Sequence, residues 1–285
     1  MTKVKDFLVK FYIFIFMIVF VFILFNIFYF IFSKGIFEIN LEFLTENPKG
    51  MPLGTEGGIY QSIVGSFFLT ILSMIISCIF GVSLAIFNVF YCKNKILNTF
   101  INLSIQTISS VPSILIGLFV YGFFIVTLRL QTSLLVASIS LSIMVFPFVE
   151  TNIEKILKDI DKKIIRDSFS LGIDKTYMLR KLLLPKIKKN IISTSLLAGS
   201  YAIGATAPLL LTGAVFITRR TSLMKPFMAL PFHIHMLLSQ SVATNKAFAT
   251  STVLIFILII LHILSEIILI NIGGKIYEYI TNKKS

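Results

Sequence analysis

The chain is 285 residues long, 56% hydrophobic and only 14% charged, with a mean hydropathy of +0.92. Soluble proteins carry roughly 25% charged residues, so this composition excludes a soluble globular domain, a disordered chain and a disulfide scaffold, and it points to one polytopic membrane unit. A net charge of +13 would suggest nucleic acid in a soluble protein, but here the basic residues lie between long apolar runs, so they orient the chain in lipid and no nucleic-acid partner is expected.

About 20 apolar helical residues cross the hydrocarbon core, and six such stretches are predicted, giving an all-α membrane protein. The first, 7–32, follows Lys3 and Lys5 as a signal peptide would. Its apolar core is too long for one, however, and it ends in Phe28, Tyr29 and Phe30 rather than small residues. It reads as an anchor helix, and with the outer loop after it forms a first region, 1–61. The second span, 63–89, holds Cys78; Cys92 follows, and the pair offers neither a metal spacing nor a disulfide framework.

Spans three to five, 100–128, 132–150 and 191–216, contain Pro112, Pro147 and Pro208. Proline removes a backbone donor and frees a carbonyl that lipid cannot satisfy, so such breaks must face protein or a water-filled path. Two of them sit among hydroxyls, in Ser109-Ser110-Val111-Pro112-Ser113 and Gly204-Ala205-Thr206-Ala207-Pro208. Close helix packing by small residues accounts for these strings, and so does a polar translocation path at mid-depth.

Between spans four and five lies the one sizeable polar loop, about 150–190. A short charged helix is expected over 154–161 and an amphipathic run over 164–171. Gly172 can then take positive φ and end a helix, and a second run reaches Leu184-Pro185. Two short helices meeting at a glycine make a knuckle; a solvated basic loop touching anionic lipid is the competing reading. Further on, His233 and His235 lack carboxylate or thiol company and read as surface residues of an outer loop, not metal ligands. The sixth span, 248–272, carries the ionisable Glu266, and 274–285 is a polar tail.

Counting basic residues by alternate segments places 19 of the 26 on one side: Lys3, Lys5 and Lys10, then Lys93 and Lys95, the eleven from Lys155 to Lys189, and Lys275, Lys283 and Lys284. The other side holds Lys34, Lys49, Arg129, Arg219, Arg220, Lys225 and Lys246. Basic loops stay cytoplasmic, so both termini and the 150–190 loop are expected inside.

The spacing of Gly172 and Leu184-Pro185 resembles the coupling-loop motif of importer-type ABC transporter permeases, Glu-Ala-Ala-x-x-x-Gly followed by Leu-Pro. More specifically, the chain resembles the A-type permease of phosphate importers. The matching strings include Gly54-Thr55-Glu56-Gly57-Gly58 with Val64-Gly65-Ser66, and Val111-Pro112-Ser113-Ile114-Leu115-Ile116-Gly117-Leu118-Phe119-Val120-Tyr121. Pro147, Glu154, Leu171-Gly172, Thr206-Ala207-Pro208-Leu209-Leu210-Leu211-Thr212 and Leu230-Pro231 follow in order.

This resemblance implies the type I importer architecture over 62–273, in a bacterial cytoplasmic membrane. It implies four kinds of partner: a homologous C-type permease, two cytoplasmic ATPase subunits, an external phosphate-binding protein and membrane lipid. The chain itself would hold no cofactor and no metal, and ATP and Mg would be used by the partner ATPase. In agreement, it has no Gly-x-x-x-x-Gly-Lys-[Ser/Thr] string, so it is not expected to be an enzyme. Coupling to the ATPase would fall to Arg166, Asp167, Ser168, Leu171, Gly172, Leu184 and Pro185.

Three departures from the family pattern concern charge. Thr151 stands for the Arg of Pro-x-x-x-Arg-Thr-Thr-Glu, Tyr201 and Ala205 stand for the Arg and Glu of Arg-x-x-Gly-Glu-Thr-Ala-Pro, and Arg166-Asp167-Ser168 replaces Glu-Ala-Ala. Losing an intramembrane Arg and Glu together leaves neither unpartnered. The substrate path would then rely on Ser109, Ser110, Ser113, Thr151, Tyr201 and Thr206. Phosphate is the expected cargo; another oxyanion (sulfate, molybdate or tungstate) and a non-conducting scaffold or signalling subunit are the alternatives.

Overall fold

The computed structural model describes residues 2–51, 54–218, 220–240 and 243–269. Arg219, the end of the sixth expected span and the tail 274–285 with Lys275, Lys283 and Lys284 lie outside the described residues. The chain divides into two compact units, Met1–Tyr60 with His233–Ile255, and Gln61–Phe232 with Phe256–Ser285.

In the first unit, α1 (Thr2–Gly35) exposes apolar side chains around its whole circumference, which only lipid or another apolar partner can cover. A short 3₁₀ turn (Ile36–Glu38) leads to α2 (Leu41–Thr45), whose Asn40 cap accepts from Phe43 N at 2.7 Å. Strands β1 (Pro48–Lys49) and β2 (Glu56–Gly57) then pair antiparallel, Pro48 with Gly57 and Lys49 with Glu56. Lys246 Nζ donates to Gly57 O at 2.9 Å, which fixes this hairpin.

The second unit is a helical bundle. Its first helix, α3 (Tyr60–Ile86), continues as π-helical turns Phe87–Tyr91. Ser62, Ser66, Thr70, Ser73, Ser77, Gly81 and Ala85 recur at helical spacing and are all buried; small residues let helix backbones approach closely. After α3 come α4 (Lys95–Ser110) and α5 (Ser113–Val120, with π-helical turns Tyr121–Thr127), and then α6 (Leu134–Lys158). The polar loop carries α7 (Lys162–Ser170) and α8 (Lys175–Tyr177), and α9 (Leu184–Ile203) re-enters the bundle and packs along α6. Next is α10 (Leu209–Thr212); α11 (Leu230–Gln240) and α12 (Thr244–Leu269) each divide between the two units, at His233 and at Ile255. A buried pair of hydroxyls, Ser193 and Ser265 at 2.7 Å, bonds α9 to the second half of α12.

Among the described residues four helices are long and apolar enough to cross a membrane, or five when α4 and α5 count as one bent span. The expected single span 100–128 is therefore corrected: its halves meet at 103°. Val111, forced towards extended backbone by the proline after it (ψ 128°), ends α4, and the chain restarts at Ser113. The expected span 191–216 also divides, because α9 stops at Ile203 and the Gly204–Pro208 turn follows. Pro147, expected as a break, lies inside an unbroken α6. The separate charged helix expected over 154–161 is the last turns of α6.

His233 is likewise not a surface loop residue. It lies on α11, 3% exposed, with Thr250 Oγ1 3.4 Å from its Nδ1. Burial, reinforced by the Lys246 charge, lowers its pKa to about 4. His235, two positions along the same helix, faces another side and is exposed, so the two do not share a site.

Candidate functional site

Two regions of the second unit carry the residues singled out by sequence. The first is a cavity of about 980 Å³ where α4, α5, α6, α9 and α12 converge. Its shape follows from the prolines. The break at Val111-Pro112 puts Ser109 and Ser113, the last and first turns of two helices, on the same wall. The bend is held by close packing: a Cβ on Gly117 would meet Pro208 Cα at 2.7 Å, so α5 can lie against the Pro208 turn only with glycine there. On α6 the ring of Pro147 also lines the cavity, and its missing N–H leaves the Ile143 carbonyl without its helical donor.

Four of the six expected path residues, Ser109, Ser113, Thr151 and Tyr201, line this cavity. Tyr201, 65% exposed, stands on its open side. Ser110 does not line it; that hydroxyl donates to Thr107 O at 2.8 Å on its own helix. Thr206 lies in the turn after α9 and is also outside the lining. Asn152, Ser200 and His262 line the cavity without having been singled out by sequence. Of these, His262 had a legible signal, an ionisable side chain inside an apolar span.

The second region is the elbow between α6 and α9. Asp161 starts α7 by accepting from Lys163 N at 2.8 Å. The helix ends in a reversal in which Gly172 N bonds to Phe169 O and Ile173 N to Ser168 O, both at 3.0 Å, with Gly172 at φ +72°. Nothing lies within 4 Å of a Cβ built on Gly172. Backbone conformation, not space, therefore selects glycine there. Asp174 caps α8 by accepting from Thr176 N at 2.8 Å, and these backbone hydrogen bonds hold its carboxyl below the usual carboxylate range. From Met178 to Leu183 the helix widens into π-helical turns and runs without interruption into α9. Pro185 follows directly on these turns, and its missing N–H leaves a carbonyl of the preceding turn without a helical donor.

Arg166, Asp167, Leu171 and Gly172 are exposed on the elbow, and Pro185 is exposed at the start of α9. Leu184 is half-buried. Ser168 is buried and donates to Ile164 O at 2.7 Å, so its hydroxyl serves α7 itself. Sequence reasoning missed Phe169 and Tyr177, which like Leu171 (77% exposed) are exposed apolar side chains on a segment that also carries Lys162, Lys163 and Arg166. It also missed the anchor. Lys175 Nζ donates to Phe90 O and lies 3.9 Å from the centre of the Tyr91 ring. Two residues back, Asn88 Nδ2 donates to Glu150 Oε1 of α6 at 3.0 Å, both side chains buried. The elbow is thus joined through the end of α3 to the helix that forms one wall of the cavity.

Comparison with known proteins agrees with this geometry. The family model described as binding-protein-dependent transport system inner membrane component matches residues 78–273. The probable ABC transporter permease protein YqgI of Bacillus subtilis is 26% identical over 197 residues, 69% of this chain and 66% of that protein's length. A probable phosphate transport system permease protein PstA from Methanocaldococcus jannaschii is 28% identical over 247 residues, 84% of each chain. Among solved structures, a chain of the inward-facing MetNI methionine ABC transporter superposes with a TM-score of 0.57 over 74% of this chain and 92% of its own, at 15% identity.

Proposed function

The chain belongs to the family of binding-protein-dependent transport system inner membrane components, and on that premise we propose that it forms half of the translocation path of an ATP-driven importer of inorganic phosphate. The observation that carries this reading is the cavity at the bent α4–α5 pair, with Ser109, Ser113, Thr151 and Tyr201 on its wall. Hydroxyls both donate and accept, which suits a partly protonated oxyanion that also does both. Support for phosphate in particular comes from the M. jannaschii relative, whose name assigns it to phosphate transport.

The elbow supplies the coupling. Its apolar and basic tip is the surface that a cytoplasmic ATPase subunit would grip, and Gly172 fixes the angle of that tip relative to α8 and α9. Nucleotide-driven movement of the tip would pass through Lys175 to the Phe90 carbonyl, and through Asn88 to Glu150 on α6. That is a two-state element biased from a distant site. A second homologous permease would close the open side of the cavity, an external binding protein would deliver the anion, and the termini would lie in the cytoplasm of a bacterium.

The test is reconstitution of the chain with its partner subunits and measurement of ATP hydrolysis stimulated by the loaded binding protein. Phosphate should stimulate, whereas sulfate, molybdate and tungstate should not. One observation favours a second reading: no Lys or Arg lines the cavity among the described residues, as a non-conducting wall would have it. Phosphate uptake by cells lacking this chain separates the two, since loss of uptake supports conduction and normal uptake supports the wall.

A further inference from the structure

The proposed path leaves unused the one side chain able to carry positive charge among the described residues lining the cavity. His262 lies on α12, exposed to the cavity that Ser109 of α4, Ser113 of α5, Thr151 and Asn152 of α6, and Ser200 and Tyr201 of α9 complete. The other titratable lining group is the Tyr201 phenol; no Lys, Arg, Asp or Glu lines the cavity among the described residues. Glu266 follows one turn later on α12, and Glu150 and Glu154 lie on α6, all outside the lining. Two of the polar groups are already engaged by their own helices: Ser200 donates to Leu196 O at 3.0 Å and Asn152 to Phe148 O at 2.8 Å. Donors for an anion are therefore few, and a neutral imidazole offers one while an imidazolium offers two and a charge.

Resting on the reading of this cavity as an oxyanion path, we propose that His262 is its anion-contact and specificity-determining residue, donating a hydrogen bond to an oxygen of a tetrahedral, singly charged oxyanion. One imidazolium compensates one charge. A dihydrogen phosphate ion is matched, and its remaining P–OH groups can donate to the hydroxyls around it. Sulfate stays divalent and carries no donor, so it would enter with one charge uncompensated in surroundings where unpaired charge is costly. Selectivity for the monoanion is then a property of this chain as well as of any delivering protein.

The experiment uses the assembled importer in proteoliposomes, with radiolabelled inorganic phosphate and basal ATP hydrolysis as the check on assembly. Uptake is compared for wild type, His262→Gln, His262→Arg and Ser109→Ala/Tyr201→Phe, with and without competing sulfate. All variants are assayed under the same conditions, so the ratio of wild type to variant isolates the histidine. His262→Gln should lower phosphate uptake about tenfold, as loss of a charge-assisted hydrogen bond does, with basal ATP hydrolysis unchanged. His262→Arg should retain uptake and still exclude sulfate, because arginine supplies the same single positive charge. Wild-type uptake for His262→Gln, while Ser109→Ala/Tyr201→Phe is impaired, overturns the role of His262 and leaves the cavity as the path. If Ser109→Ala/Tyr201→Phe is also unimpaired, the path reading itself fails, and this proposal with it.

Discussion

The elbow and the cavity are built on opposite plans. The elbow is made of short-range, directed interactions: an Asp161 cap, a reversal at Gly172, an Asp174 cap, and one cation tied to a carbonyl and a ring. Its shape is fixed within a dozen or so residues, as a part that transmits force must be. The cavity instead gathers side chains from five helices separated by as many as 154 positions in sequence, leaves one side open, and carries no lysine, arginine or carboxylate among the described residues lining it. A part that must bind and then release needs weak, adjustable contacts. Rigidity is concentrated at one end of α6 and permissiveness along its wall, with the Asn88–Glu150 hydrogen bond between them.

The largest effect should come from breaking the rigid part at its tightest constraint. At φ +72° a β-branched side chain clashes with its own backbone, so Gly172→Val must change the angle of the tip. We expect uptake in proteoliposomes to fall more than tenfold while basal ATP hydrolysis persists. Gly172→Ala, with open space around its Cβ and a backbone cost of about 1–2 kcal/mol, should be milder. Equal uptake in valine and wild-type proteins would remove the elbow from the mechanism. A smaller effect is expected at the anchor. Lys175→Met keeps the aliphatic stem over Tyr91 but removes the donor to Phe90 O, and should cut uptake several-fold at unchanged ATP hydrolysis. If it instead lowers both equally, the lysine serves assembly and not transmission.

Legibility in the sequence followed the same division. Gly172, the approximate bounds of α1 and α3, the starts of α6 and α12, and the hydroxyls beside Pro112 could all be read locally, because each is set by neighbours a turn or two away. Pro147 misled because a proline in a helix interior costs one hydrogen bond, and packing of α6 along α9 compensates for it without breaking the helix. The 103° bend at Pro112 needed the packing of Gly117 on Pro208, a contact between two strings ninety positions apart that no periodicity reports. His262 escaped notice for a related reason. On its own helix it stands a turn before Ser265 and Glu266 with nothing to distinguish it, and only convergence with Ser109, Thr151 and Tyr201 gives it a role. Phe169 and Tyr177 read as ordinary amphipathic positions until their exposure was seen.

The smallest expected effect probes the permissive part by adding charge to it. Tyr201 lines the open side of the cavity, and Ala205, whose N–H bonds to Ala202 O at 3.1 Å, is in the turn that ends α9. Arginine at 201 alone would put an unpaired cation in the membrane, at a cost of about 2.5–3.5 kcal/mol on insertion scales. Adding Ala205→Glu gives that cation a carboxylate one turn away and restores the paired charges of the family pattern. The double variant Tyr201→Arg/Ala205→Glu should therefore keep uptake or raise it modestly, while Tyr201→Arg alone should lower the amount of assembled protein, read by size-exclusion chromatography in detergent. A wall that tolerates a new ion pair is one whose contacts were weak to begin with. If the double variant assembles normally but transports nothing, the hydroxyl lining is as exacting as the elbow, and the contrast between the two regions does not hold.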